Sequence, residues 1–388
     1  MVVLKQFGAD LLVCLNESFV VYNTITCEER TVHIPDPDVE TVQKHHIQEN
    51  ENRTISSASY SKTGEYFAVS AGKQVLVYKR DLSVLKTFTL QRSASKIRFT
   101  QEDNILVADK TGDAYMCKTF ENDKDNVCLL LGHLSMLLDI LLTDDKFIIT
   151  CDRDEKIRVS CYPNCYNIMS YCLGHTEFVT NIEVVNGYLI SASGDGTIRF
   201  WNLLSGEQIN IINTNDFIQN KYLINNFCKE MDEEKCEVSS LPIVDMQIFK
   251  SNIYYIAVLL HNEKNIQIYT FECVDKNIKC DFHCNVSLDS VPVCFSFTEK
   301  LYILTQEALV LYCLKDNQFV ESESEHLKHF YNKYKNLLLS GNTSISVLYK
   351  RKFDNVQEYL NRKKQRLEKK SNKEIENSYL FYYIYFYY

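Results

Sequence analysis

From residue 1 to about residue 316 the chain alternates short apolar runs with polar turns. DLLVCL, SFVVYN, YFAVS, QVLVY, KIRF, NILVAD, DAYMC, KFIITC, KIRVS, YLISAS, TIRFW, IYYIAVLL, IQIYTF, LYILTQ and ALVLYCL follow one another in this way. Apolar alternation over about 4–8 residues predicts half-buried or buried strands. Many such strands at even spacing predict an all-β sandwich, barrel or propeller. Long helical periodicity is absent from this stretch.

An internal repeat selects among the three. Leu131-Gly132-His133 and Leu173-Gly174-His175 stand 42 residues apart, each followed by a strand, a polar turn, a second strand, an Asp-centred turn and a third strand. ITCDRDEKIRVS (149–160) aligns with ISASGDGTIRFW (190–201), placing Thr150 over Ser191 and Asp154 over Asp195. Weaker copies lie at 59–78 and 97–117. Seven units start near residues 1, 53, 92, 134, 176, 241 and 285. This resembles the WD-repeat β-propeller, in which each unit is a four-stranded blade and the units close into a ring.

The resemblance implies a buried hydrogen-bonded chain from Trp201 through Ser191 and His175 to Asp195. A buried carboxylate is tolerable where donors surround it. His133, Asp154, His175, Ser191, Asp195 and Trp201 are therefore expected to be structural, and no catalytic residue is expected. Gly194-Asp195-Gly196 joins two strands, where glycine accommodates positive φ. With eleven glycines and no GxGxxG or GxxxxGK, no nucleotide-binding loop is found.

Two polar insertions, 36–52 and 214–240, are expected as surface loops within a propeller spanning 1–345. His45-His46 in the first has no third ligand nearby, so no metal site is expected. From about residue 353 the pattern becomes helical: Phe353, Val356, Leu360 and Leu367 share one face, with Lys/Arg opposite. A basic amphipathic α-helix is expected over 346–373. Its apolar stripe would dock on the propeller or a partner, and Lys350, Arg351, Arg362, Lys363, Lys364 and Arg366 would meet tRNA phosphates or a partner. The alternative is a solvated basic tail. The aromatic stretch at 374–388 is expected to be disordered and receives no function.

Charge sharpens this division. The chain of 388 residues has net charge −9, yet residues 350–373 carry ten Lys/Arg against three Asp/Glu, leaving residues 1–349 near −14. So acidic a body is a poor non-specific nucleic-acid binder, and any phosphate contact must be local. The fifteen cysteines are irregularly spaced, without CxxC, and read as ordinary thiols. The N-terminal MVVLKQFGADLLVC lacks a basic n-region and carries Asp10, unlike a signal peptide. No apolar run approaches the ~20 residues of a membrane span. A nuclear location is expected, with the cytoplasm also open, and no membrane partner.

Several segments go beyond what a propeller requires. GHLSMLLDI (132–140), DRDEKIRVS (152–160), LGHTEFVTNI (173–182), SASGDGTIRFW (191–201), ADKTGDAY (108–115) and SVLYKRKFDNVQEYLNRKKQRLEKK (346–370) occur in order. Together they resemble the non-catalytic WD-repeat subunit of eukaryotic tRNA (guanine-N7-)-methyltransferase, the Wuho family. The resemblance is dense over 97–205, returns at 346–370 and is thin elsewhere. It implies an accessory role in a heterodimer. A separate Rossmann-type subunit binds S-adenosylmethionine and methylates N7 of guanosine 46 in the tRNA variable loop. This chain would carry no cofactor and would hold that subunit in its active conformation.

In that family the partner contact maps to DRDEKIRVS. Glu155 and Lys156 replace a Gly-Thr pair without a reason in the fold. Lys156 and Arg158 are thus expected to face carboxylates on the catalytic subunit, with Arg153 and Glu155 around them. An exposed charged loop of little energetic weight is the competing reading. Two other functions stay open. One is a general WD-repeat scaffold in a nuclear or ubiquitin-ligase assembly. The other is a propeller enzyme with its site in the central channel, disfavoured because no cluster of carboxylates or histidines is seen at inner-strand positions.

Overall fold

The alternating runs pair into seven antiparallel sheets of four strands each, in a computed structural model that describes residues 2–37, 53–121, 126–144, 146–274, 277–338, 344–351, 360, 363 and 364. The blades span 3–33, 55–89, 94–132, 137–172, 179–213, 243–287 and 292–321, numbered 1 to 7 in chain order. Seven apolar clusters each join one blade to the next, the last joining blade 7 back to blade 1. The ring is therefore closed.

Within a blade, position decides burial. The second and third strands lie between neighbouring sheets, so Asp10–Leu15 and Ser18–Asn23 are almost wholly buried. The outermost strand faces water, so Glu29–His33 and Gln208–Asn213 are mostly exposed.

The innermost strands are stitched around the channel by a recurring bond. A side chain of one blade accepts the backbone N–H of the next: Ser57 Oγ from Ile97, Asp139 Oδ2 from Ile182, Asn181 Oδ1 from Met246, Gln247 Oε1 from Phe297, and Ser296 Oγ from Gln6, at 2.9–3.2 Å. These bonds satisfy donors that the outward-facing ladder leaves open.

Each sheet uses four consecutive strands, so the first and last blades share none. A helix covers that seam. α1 and α2 denote Tyr222–Glu233 and Glu325–Leu338. Leu327, Phe330, Tyr331, Tyr334 and Leu338 of α2 pack among Leu4, Leu11 and Tyr22 of blade 1 and Tyr302, Leu304 and Leu309 of blade 7. Tyr331 OH donates to the Gln306 carbonyl at 2.6 Å.

Two expectations change here. The 214–240 insertion is not simply a surface loop: it holds a 3-10 turn and α1, whose Phe227 and Met231 are buried in the cluster between blades 5 and 6. Nor does the C-terminal helix begin at 346. Residues 345–347 form a 3-10 turn, Arg351 makes an isolated bridge with Cys236, and helical residues are found at 360, 363 and 364. Residues 38–52, including His45-His46, the positions Arg362 and Arg366, and the tail 374–388 lie outside the described residues.

Candidate partner-binding site

Blade 5 carries the complete buried chain. Trp201 Nε1 donates to Ser191 Oγ at 2.8 Å, Ser191 Oγ lies 2.7 Å from His175 Nε2, and His175 Nδ1 lies 2.9 Å from Asp195 Oδ2. An indole N–H can only donate, which sets the direction of the whole chain. Ser191 then offers its own hydrogen to Nε2, leaving a neutral imidazole with its proton on Nδ1. Burial pulls the His175 pKa down, in keeping with that neutral ring. Burial works against the Asp195 carboxylate, but hydrogen bonds from His175, Thr197 and the Thr176 N–H prevail and hold its pKa down at about 2.

Blade 4 solves the same problem differently. His133 Nε2 lies 2.8 Å from Thr150 Oγ1, and its Nδ1 lies 2.9 Å from Asp152, not Asp154. The assignment of Asp154 as the structural turn carboxylate is corrected accordingly. Asp152 Oδ1 also accepts the N–H groups of Asp154 at 2.9 Å and Lys156 at 3.0 Å, closing the turn from the strand end. Blade 3 does likewise, with Asp109 Oδ1 accepting from Thr111, Gly112 and Asp113. One carboxylate two residues earlier thus replaces the turn aspartate.

Ser160, at the position of Trp201, is fully buried and accepts a 2.9 Å bond from Arg158 Nε. Arg158 Nη2 donates to the Cys165 carbonyl at 2.8 Å, and Nη1 lies 3.4 Å from the Gly132 carbonyl. Its guanidinium therefore braces blade 4 while the side chain stays half-buried, so any bond to the partner would come in addition to these three. Where blade 5 has tryptophan, blade 4 thus has a buried serine held by arginine.

The residues between are free of that duty. Lys156 is exposed. Arg153 is 39% exposed at its side chain, while its Nε is buried without a hydrogen-bond partner among the described residues, 4.0 Å from an Asp154 oxygen. Glu155 holds φ +63, at the position filled by Gly196 (φ +75) in blade 5 and Gly112 (φ +108) in blade 3. A side chain there costs about 1–2 kcal/mol.

Two of the expected basic residues meet acids of the same chain. Lys350 pairs with Glu155, and Arg351 Nη2 lies 3.4 Å from a Glu234 oxygen. Both were expected on a helix facing phosphate or a partner; both instead sit on the docked segment 344–351. Lys363 and Lys364 are helical and exposed.

The central channel does hold carboxylates, contrary to the sequence-based expectation, but they are engaged. Arg98 binds both oxygens of Asp139 at 2.9 and 2.6 Å and Glu183 at 2.6 Å. Burial opposes the Asp139 charge, and the Arg98 guanidinium still keeps its pKa low. Asp245 accepts from Asn181 and Gln247. These groups lock neighbouring blades together.

The closed ring and the His–Asp chains define a seven-bladed WD-type propeller. A chain of the crystal structure of the mitotic checkpoint complex shares this fold, with TM-score 0.61 at 12% identity over 81% of this chain and 90% of that one. The family model described as the tRNA methyltransferase TRM82 WD40 domain matches residues 118–325. The zebrafish (Danio rerio) tRNA (guanine-N(7)-)-methyltransferase non-catalytic subunit wdr4 is 32% identical over 83% of this chain and 79% of its own length. The Culex quinquefasciatus subunit wuho is 30% identical over 84% and 79%. This chain belongs to that family of non-catalytic subunits of tRNA (guanine-N7-)-methyltransferase.

Proposed function

We propose that this chain binds and stabilises the catalytic subunit of the tRNA (guanine(46)-N7)-methyltransferase as a heterodimer, and that N7-methylguanosine formation in the variable loop requires it. The blade 4 turn carries this reading. Its fold-maintaining bonds come from Asp152 and Arg158, so Arg153 and Lys156 are left to meet carboxylates of the partner. The half-exposed Arg153 side chain and the exposed Lys156 support such a contact. S-adenosylmethionine belongs on the catalytic partner in this reading, and this chain contributes no cofactor. Of the basic residues expected on the C-terminal helix, the exposed Lys363 and Lys364 are the ones proposed to meet tRNA phosphate, and the nucleus is the proposed site of action.

Reconstitution tests this directly. The purified catalytic subunit is assayed for tRNA methylation with and without this chain. A large gain on addition is expected, and equal activity in both arms would overturn the proposal.

A further inference from the structure

Residues 344–351 form a strap docked on the cluster between blades 5 and 6, where Ile345, Leu348 and Tyr349 pack. Its anchor is Tyr349, which is 3% exposed. The ring sits edge-on against Phe178, centroids 4.9 Å apart, and beside Phe227 of α1 at 6.1 Å. Its hydroxyl donates to the Gly194 carbonyl at 3.3 Å, in the turn of blade 5. The next residue, Lys350, pairs with Glu155 in the turn of blade 4. Arg351 then joins Cys236 by a bridge and Glu234 by an ion pair. The strap therefore ties together the blade 4 turn, the blade 5 turn and the insertion that carries α1.

Glu155 gives this tie its meaning. Glycine would sit without strain at φ +63, as Gly196 and Gly112 do at the same position of neighbouring blades. A glutamate there stands against the backbone preference, and the bond its carboxylate makes is to Lys350. That bond neutralises the acid which would otherwise lie among Arg153 and Lys156.

We propose that Tyr349 and Lys350 are positioning residues of the partner site: the strap holds Glu155 away from Arg153 and Lys156, so that these can engage acidic groups of the catalytic subunit. The inference rests on the blade 4 turn being the contact.

The test uses the full chain with the catalytic subunit. Affinity is measured for wild type, Glu155→Gly, Lys350→Glu and Tyr349→Ala, with amide exchange of 344–351 and the melting temperature of each free chain. Lys156→Glu reports on the turn itself. Lys350→Glu sets two acids side by side, so exchange in the strap rises and affinity falls about three- to tenfold. Glu155→Gly relieves the strained position and removes the competing acid, so the free chain melts at the same or a higher temperature, its strap exchanges faster, and partner binding is retained. Tyr349→Ala frees the strap and weakens binding as Lys350→Glu does. If Lys156→Glu disrupts binding while Lys350→Glu and Tyr349→Ala bind as wild type does, the strap has no part in the site and the inference is overturned. If the wild-type chain fails to bind at all, the functional reading fails and takes this inference with it.

Discussion

Blades 4 and 5 have the same register, with Thr150 paired to Arg158 as Ser191 is to Arg199. Yet they stabilise themselves by different residues. Blade 5 runs its buried chain from tryptophan to aspartate through the turn, so the turn residue Asp195 is indispensable to the blade. Blade 4 moves the carboxylate back to Asp152 and replaces indole with the Arg158–Ser160 pair. Its turn is thereby released from the core and becomes available for recognition. A repeat that departs from its consensus need not be decaying, provided another group takes over each lost bond.

The comparison breaks most visibly at Trp201. Trp201→Ala removes the largest buried side chain together with the Ser191 donor, and should cost about 3–5 kcal/mol in denaturant unfolding. Its counterpart Ser160→Ala removes one acceptor for Arg158 and should cost about 1–2 kcal/mol. Equal losses would mean that the two blades are anchored alike.

The two aspartates of blade 4 sharpen the contrast. Asp152→Ala orphans His133 and two turn amides, for an expected loss of about 2–3 kcal/mol. Asp154→Ala, whose carboxylate receives no hydrogen bond in the blade, should stay within about 0.5 kcal/mol. A reversed order would restore Asp154 as the turn carboxylate. Arg158→Leu should likewise lower stability, by about 1–3 kcal/mol, which separates it from the surface residue Lys156.

A separate effect concerns pH. Burial, with Glu155 and Asp195 nearby and Lys350 opposing them, raises the Glu177 pKa from 4.5 to about 7. The folded chain then binds this proton more tightly than the unfolded chain does. Stability from this group is fully present below the ordinary value and declines as pH rises from about 4.5 to about 7. Glu177→Gln should remove that slope in urea titrations at stepped pH, and an unaltered slope would assign it elsewhere.

Much of the ring was legible because the second and third strands are buried on both faces. Runs such as KFIITC and YLISAS therefore stand out as nearly continuous apolar segments. The outer strands, such as Gln208–Asn213, are half in water and blend with their turns. The unit starts were read within a few residues of the inner strands, with blade 7 the widest miss, since Pro292 opens a strand after a polar stretch.

The helices were less legible. The α1 pattern of Leu223, Ile224, Phe227 and Met231 is interrupted by Asn, Lys and Glu, so polarity masked its buried face. In α2 the packing is largely aromatic, with Phe330, Tyr331 and Tyr334 set among Lys, His, Asn and Glu, so its buried face carries little aliphatic signal.

At the site, alignment identified which positions differ but not how each lost bond is replaced. That Asp152 serves His133 follows from its place at the strand end, shared with Asp109, and ADKTGD beside CDRDEK was the available signal. The role of Arg158 was hidden because an arginine also stands at 199. Only contact geometry separates a guanidinium that braces a blade from one that meets a partner.

The central claim is that Arg153 and Lys156 meet the partner while Asp152 and Arg158 hold the blade. Its most direct test is binding of Lys156→Glu to the catalytic subunit, measured by titration calorimetry alongside the melting curve of the free chain. The account predicts a loss of about tenfold or more in affinity with the melting temperature within about 2 °C of wild type. Unchanged affinity, or a weakened complex explained by an earlier-melting propeller, would contradict it.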